Sequence, residues 1–203
     1  MNGFVRPDAP LLSAVVPAVS QSDIGSVEVQ TYIANMHKVV YGNQIDRSRP
    51  IMVGVAAPQI GVARRIILVD VAAEGHGQIG DLRTYINPEI VWESPETSDW
   101  YEGCYSTDRV CGIVSRPLRV RVHALDQMGT SVDEMHSGYT ARIFQHEVDH
   151  LNGIVFVERI ESDSNLHWVE REKMRDYRNN EGWRHWPDPC SRERWLEIKG
   201  QQA

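Results

Sequence analysis

His146-Glu147-Val148-Asp149-His150, preceded by Gln145, constrains this chain more than any other stretch. Residues four apart share one face of an α-helix. His146 and His150 can therefore present two imidazoles to a single cation if residues 139–151 are helical. Glu147 then lies beside that cation, where a carboxylate can accept a proton from an activated water. The neighbouring residues agree with a helix, because Tyr139, Arg142, Ile143, His146 and His150 fall on one face. Gly153, just past the end, suits a C-cap. The motif leaves open where a third ligand comes from.

Three sources can be weighed. Metzincin proteases continue the motif as H-E-x-x-H-x-x-G-x-x-H. Gly153 fits that pattern, but Phe156 stands where the last histidine belongs, and phenylalanine binds no metal. A downstream glutamate is the second source. Glu158, Glu161 and Glu170 are available, in a run so rich in carboxylates that a chance match is easy. The third source is Cys104, in Glu102-Gly103-Cys104-Tyr105-Ser106. A thiolate with two imidazoles leaves a fourth position open for water. The plain alternative for Cys104 is a buried structural thiol.

Composition narrows the class. A chain of 203 residues fits one domain with an appendage and can bury a real core. A net charge of −7 argues against a stable nucleic-acid partner, since phosphate recognition needs a basic face. Three scattered cysteines without a C-x-x-C pair fit a reducing compartment, so the expected location is the cytoplasm. No apolar run approaches a membrane span. Leu11 to Val19 is interrupted by Pro17 and reads as an N-terminal structural segment rather than a signal core.

Periodicity supplies a coarse element order. Val29, Tyr32, Ile33, Met36, Val39 and Val40 predict an amphipathic helix over 27–41, stopped at Gly42. Residues 65–70 read as a buried strand. Residues 74–81 form a Gly-rich connection. Residues 84–91 predict a strand broken by Pro88. Alternation from Leu118 to Ala124 predicts a half-exposed strand, turning at Gln127-Met128-Gly129 and pairing back through Ser131 to His136. Residues 154–157 leave the metal-binding helix as an apolar exit. His37, His76, His123, His136, His167 and His185 are scattered and read as surface or packing residues. The tail, 162–203, is dense in charge and carries Trp168, Trp183, Trp186 and Trp195. A helix over 166–178 is expected there, with Pro187 and Pro189 breaking the chain beyond it. Its tryptophans read as anchors packed on the domain, in preference to a partner- or membrane-binding patch.

One further segment changes the reading. Val53-Gly54-Val55-Ala56-Ala57-Pro58-Gln59-Ile60-Gly61 combines small residues with one amide. With it, the chain carries three motifs in order: G-Φ-G-Φ-A-A-x-Q, with Met52 at its first glycine, E-G-C-x-S and Q-H-E-x-D-H. In these it resembles the peptide deformylases. The resemblance implies an α+β fold, with antiparallel strands around a central metal-binding helix. It also implies a catalytic domain over 1–161, followed by a charged, Trp-containing helix and arm over 162–203.

The resemblance implies a reaction as well. The metal ligands would be Cys104, His146 and His150, holding one divalent ion. Ferrous iron is expected in the cell; zinc, nickel or cobalt would suit the same donors. Glu147 would be the general base, then the acid. The side-chain amide of Gln59 and the backbone N–H of Tyr105 would stabilise the developing oxyanion. Gly54 would keep bulk away from the peptide. Val53, Trp100, Gly103, Tyr139, Arg142 and Ile143 would line the substrate pocket, and Arg116 would partner a buried Glu102. Asp149 suits three roles equally: orienting a neighbour of the metal site, capping, or facing solvent. The implied substrate is an N-formyl-methionyl peptide, met in passing at the ribosome, and the product is formate. Tyr105 replaces a common leucine. Cys111 stands where many members carry an arginine near the peptide, and Arg109 is a candidate to substitute for it. A deformylase of a small formylated metabolite, an H-E-x-x-H zinc endopeptidase and a catalytically silent binding protein remain the alternatives.

Overall fold

A computed structural model describes residues 3–42, 52–73 and 79–200. Most of the Gly-rich connection, residues 74–78 with His76, lies outside the described residues. The run Ile66-Ile67-Leu68-Val69 is strand β2 (Ile66–Asp70), buried along its whole length. Its period-two alternation serves two cores at once. Ile67 and Val69 pack on one side with Ala141, Phe144, Val148 and Leu151 of helix α2 (Gly138–Leu151). Ile66 and Leu68 pack on the other with Ile33, Met36 and Val40 of helix α1 (Val27–Gly42). A strand apolar on both faces is what a sheet covered by helices on both sides requires.

β2 sits in a five-stranded antiparallel sheet of order β1-β2-β3-β6-β7. The other members are β1 (Gly54–Ala56), β3 (Leu82–Glu93), β6 (Arg119–Leu125) and β7 (Ser131–Ser137). β6 shows the alternation expected of it, with Val120, Val122 and Ala124 buried between exposed Arg119, Arg121 and His123. The predicted break at Pro88 is not a break. β3 runs through it with a register shift between Ile86 and Glu89. Asn87 takes a left-handed φ of 52° there, and its side chain bonds both the N–H and the carbonyl of Val19, each at 2.8 Å. Proline lacks a donor, so a bulge is where a long strand can accommodate it.

The second sheet has the order β4-β5-β8, from β4 (Thr97–Gly103), β5 (Val110–Pro117) and β8 (Leu166–Trp168). Here the sequence expectation fails. Residues 166–178 are not one helix: they begin as β8, paired to β5 through Val110↔Trp168, and only Met174–Arg178 is α-helical (α3). Leu166 and Val169 bury into different apolar clusters, which the strand permits and a helical face would not. A final helix, α4 (Arg192–Ile198), is capped by the Ser191 hydroxyl, which accepts from the Arg194 N–H at 3.1 Å. Trp183 and Trp195 are buried at 1% and 2% exposure, as anchors should be.

Helix α2 ends in a Schellman motif. The N–H of Ile154 bonds the Asp149 carbonyl at 2.9 Å and that of Gly153 bonds His150 at 3.3 Å. Gly153 has φ +71°, and a Cβ there would come within 2.7 Å of the Ser13 backbone. The N-terminal segment is clamped on this helix end by Val15↔Asn152 pairing, with Leu12, Val16 and Val19 buried. Gly153→Ala should therefore cost about 1–3 kcal/mol in strain, lowering Tm by roughly 3–10 °C for a domain of this size. Thermal unfolding with an unshifted midpoint would contradict this.

Candidate metal centre and active site

Helix α2 delivers His146 and His150 one turn apart, with ring centroids 5.0 Å from each other. Strand β4 ends where Cys104 begins a short 3-10 turn, and Cys104 Sγ lies 3.3 Å from His150 Nε2. The three ligand-type atoms of Cys104, His146 and His150 lie within 4.8 Å of one another. The downstream glutamates are elsewhere: Glu158 pairs with Lys199 and Glu170 with Arg109, while Glu161 is exposed. A thiol and two imidazoles therefore form the cluster, and none of these three glutamates joins it. Arg109, stacked 5.7 Å over Trp168 as well as paired with Glu170, is engaged away from the site.

The segment Ala57–Ile60 brings in Gln59 as a single 3-10 turn. Its Oε1 accepts the Ala56 N–H at 2.7 Å, which fixes the orientation of the amide. Its Nε2 then points at Cys104 Sγ, 3.1 Å away, and Ser106 Oγ, 3.3 Å away. The serine belongs to the E-G-C-x-S motif, yet nothing in its spacing reveals that it holds the glutamine. Tyr105 follows Cys104 in the turn, and its ring stacks on Phe4 at 4.8 Å.

Gly54, on β1, faces the helix. A Cβ at this position would stand 2.6 Å from Glu147 Oε1 and 2.8 Å from Ile143 Cγ2. The glycine thus clears room for the proposed base itself, a closer constraint than approach of a peptide. Gly103 is similarly tight against Cys111 Sγ, at 2.9 Å. Val53 and Tyr139 pack at the margin of the α2 core, and Ile143 is within it. Trp100 is 38% exposed, with its ring 5.5 Å from that of Trp183. Arg142, expected to wall the pocket with its stem, is held at its other end. Its guanidinium donates to Glu102 Oε1 at 2.8 Å, the Val114 carbonyl at 2.9 Å and the Ser98 carbonyl at 2.6 Å.

Behind the cluster lies a buried charge network. Arg116 grips Glu102 in a two-pronged pair at 2.6 and 3.0 Å. A third guanidinium hydrogen bond, 2.9 Å, goes from Arg116 to Asp149. Asp149 also accepts from Arg159 at 2.5 and 3.2 Å. It is buried and paired, so of its three candidate roles the solvent-facing one is ruled out. Glu102 Oε2 lies 2.8 Å from His146 Nδ1. A carboxylate only accepts, so Nδ1 carries the hydrogen and Nε2 is left as the ligand atom.

Charge follows geometry. Burial opposes ionisation of Glu102, but Arg116 and His146 hold its carboxyl below the ordinary range. Burial also opposes ionisation of Cys104, yet His150 and His146 draw its thiol well down. Burial works against a charged His146 too, but Cys104 and Glu102 raise it well above the usual imidazole value. Burial pushes Glu147 up to about 7, against the pull of both histidines. Its Oε2 is buried without a hydrogen-bond partner. A thiolate, two imidazoles and an unpartnered carboxylate oxygen fit a divalent cation, whose binding would displace the protons these groups otherwise share.

The fold and site define an α+β protein in which one cysteine and the two histidines of an H-E-x-x-H helix form a possible metal site. The family model described as polypeptide deformylase matches residues 1–165, and the chain belongs to that family. A peptide deformylase of Phenylobacterium zucineum is 41% identical over 108 residues, 53% of this chain and 63% of the relative's length. Peptide deformylase 1 of Ralstonia nicotianae is 41% identical over 181 residues, 85% of this chain and 98% of the relative. The solved class I type b peptide deformylase of Acinetobacter baumannii, with Met-Ala-Ser bound, superposes with a TM-score of 0.69 at 32% identity, covering 77% of this chain and 96% of that one. The Thermotoga maritima peptide deformylase gives 0.66 at 33%, covering 78% and 97%.

Glu102 should carry both stability and metal affinity. Glu102→Ala leaves Arg116 and Arg142 short of a buried partner, a cost of about 3–5 kcal/mol. It should also weaken metal binding by about 10–100-fold through loss of the His146 contact. Urea unfolding and metal titration measure the two; a variant matching wild type in both would show that the network is dispensable.

Proposed function

We propose that this chain is a metal-dependent hydrolase that removes the N-formyl group from the N-terminal methionine of nascent peptides and releases formate. The observation that carries this reading is the convergence of Cys104, His146 and His150, with Gln59 bonded to the cysteine. Ferrous iron is the metal proposed for the cell, and zinc, nickel or cobalt would occupy the same donors. The proposed setting is the cytoplasm, with passing contact at the ribosome. Among the described residues no helix is long and apolar enough to cross a membrane.

The peptide's path follows from sheet topology. β1 and β4 are edge strands of their sheets, and each leads directly into the site. An extended peptide can add to such an edge through main-chain hydrogen bonds. Its methionine would enter the pocket of Val53, Trp100, Gly103, Tyr139 and Ile143, with the stem of Arg142 behind. A divalent ion held by Cys104, His146 and His150 supplies Lewis-acid activation of water and of the formyl group. Glu147 accepts the proton from the attacking water. Its raised proton affinity suits it to pass that proton to the departing amine. The amide of Gln59 and the backbone N–H of Tyr105 donate to the formyl oxygen as it gains charge, a contribution of about 3–4 kcal/mol for one such donor. The catalytic unit is proposed to be 1–161, with 162–203 as an arm packed onto it.

Formate release from formyl-Met-Ala-Ser by anaerobically purified, ferrous-loaded protein tests the reading. Absence of formate with iron, nickel and cobalt alike would defeat it. Cys104→Ser should lose both metal and activity; a zinc endopeptidase using another ligand would retain its metal. Gly54→Ala should push Glu147 aside and lower kcat by at least about tenfold, since misplacing a catalytic group by an ångström costs about a hundredfold. Metal content should stay at one per chain, and an unaltered kcat would remove Gly54 from the mechanism.

A further inference from the structure

Among the described residues, four buried side-chain nitrogen or oxygen atoms lack a hydrogen-bond partner. Glu147 Oε2 and His150 Nδ1 belong to the metal centre. The other two, Arg178 Nε and Trp183 Nε1, belong to the C-terminal arm. Both are donors. Burying a donor without an acceptor costs about 1–3 kcal/mol, so two on one short segment call for an explanation.

Their surroundings supply one. Arg178 ends helix α3, and its guanidinium carbon lies 5.8 Å from the ring centroid of Tyr101 on edge strand β4. Tyr101 is two residues before Gly103 and meets Tyr177 edge-on at 5.5 Å. Trp183 packs against both Trp100, at 5.5 Å, and Tyr101, at 6.3 Å. The charge of Arg178 also reaches Cys111, which is paired with Gly103 in the sheet, and Tyr139 at the start of helix α2. No carboxylate answers it: nearby Arg184 is paired with Glu181 at 2.8 Å, whereas Arg178 makes no ion pair among the described residues. A cation with no carboxylate partner among the described residues thus stands over Tyr101 of edge strand β4, three residues before Cys104.

We infer that Arg178 is a substrate-binding residue, donating to an acceptor oxygen of the peptide downstream of its methionine, and that the arm carrying it forms the outer wall of the binding cleft. This rests on the deformylase reading, in which the peptide lies along β4. A guanidinium there suits a main-chain carbonyl or a terminal carboxylate. It places a specificity determinant outside the stretch matched by the family model, which ends at residue 165.

The test uses ferrous-loaded full-length protein in wild-type, Arg178→Met, Arg178→Lys and Arg175→Met forms. Kinetics are measured on formyl-Met-Ala-Ser and on its C-terminal amide. Arg178→Met should raise KM about tenfold, the loss of one charge-assisted hydrogen bond, with the loss carried by KM rather than kcat. The lysine variant should recover part of it. Arg175→Met, on the exposed side of the same helix, should match wild type. An effect confined to the free acid identifies the carboxylate as the acceptor; an equal effect on the amide identifies a main-chain carbonyl. Tryptophan fluorescence, reporting from Trp100 and Trp183, should show the same weakening for the product Met-Ala-Ser. Unchanged KM and unchanged product affinity in Arg178→Met overturn the inference. Failure of wild type to release formate would instead defeat the reaction assigned above, and the fluorescence titration would still decide the role of Arg178.

Discussion

The site depends on one buried carboxylate. Glu102 receives Arg116 from β5, Arg142 from α2 and the Nδ1–H of His146, also from α2. Removing a carboxylate from water costs several kcal/mol, and only close, well-directed partners repay it. Four hydrogen bonds from three residues, on two oxygens, meet that demand. What the arrangement secures is position. β4 and α2 come from distant parts of the chain, and Glu102 fixes the end of one against the face of the other. Cys104 is two residues further on, so the contact of Glu102 with His146 also brings its sulfur toward the histidines. Asp149 repeats the device on the other side of Arg116, and Arg159 extends it to the segment leaving the helix.

Such a framework explains how a strongly polar set can sit on the helix that also carries the apolar core. The face of α2 bearing Ala141, Phe144, Val148 and Leu151 is held by the five-stranded sheet. The opposite face carries Arg142, His146 and His150, which the three-stranded sheet must satisfy. Helix α2 is therefore a divider between a hydrophobic core that stabilises and an ionic layer that positions. Gly54 is where backbone of the five-stranded sheet comes up against that layer, and Gly103 is as tight against Cys111 of the neighbouring strand; neither position can carry even a methyl group without displacing what lies opposite.

Much of this was legible from residue order. The i, i+4 histidines required a helix, and the doubly apolar β2 required cover on both faces. The alternation in β6 also survived intact, because each feature depends on local periodicity. The proposed third ligand was not a local matter: donor chemistry left Cys104 and three glutamates all acceptable, the three-motif resemblance singled out Cys104, and the β4–α2 contact is what brings its sulfur to the histidines. Pro88 misled because a proline signal has no knowledge of a bulge, which Asn87 supports by bonding a distant segment. Residues 166–178 misled for a related reason. Their charge density favours a helix, but the open edge of β5 offers Leu166–Trp168 a ladder of backbone bonds that no reading of the tail alone reveals. Ser106 stood within a recognisable motif and Arg142 just ahead of one, yet their partners lie 47 and 40 residues away in sequence.

The tail's attachment has a consequence for how the cleft is built. Because β8 pairs with β5, the arm is anchored to the same sheet whose free edge, β4, leads into Cys104. Trp195 and Cys190 extend the core behind β5, while Tyr177 and Trp183 form a separate buried cluster against Tyr101. An appendage fixed only at its root would be free to swing. One packed into two buried clusters along that sheet has its cation over Tyr101 of β4, and the aromatic contacts among Trp100, Tyr101, Tyr177 and Trp183 add geometric preference to that packing. Trp183 thus does more than fill space: with Tyr177 it seats the segment carrying Arg178 against the aromatic side chains of β4.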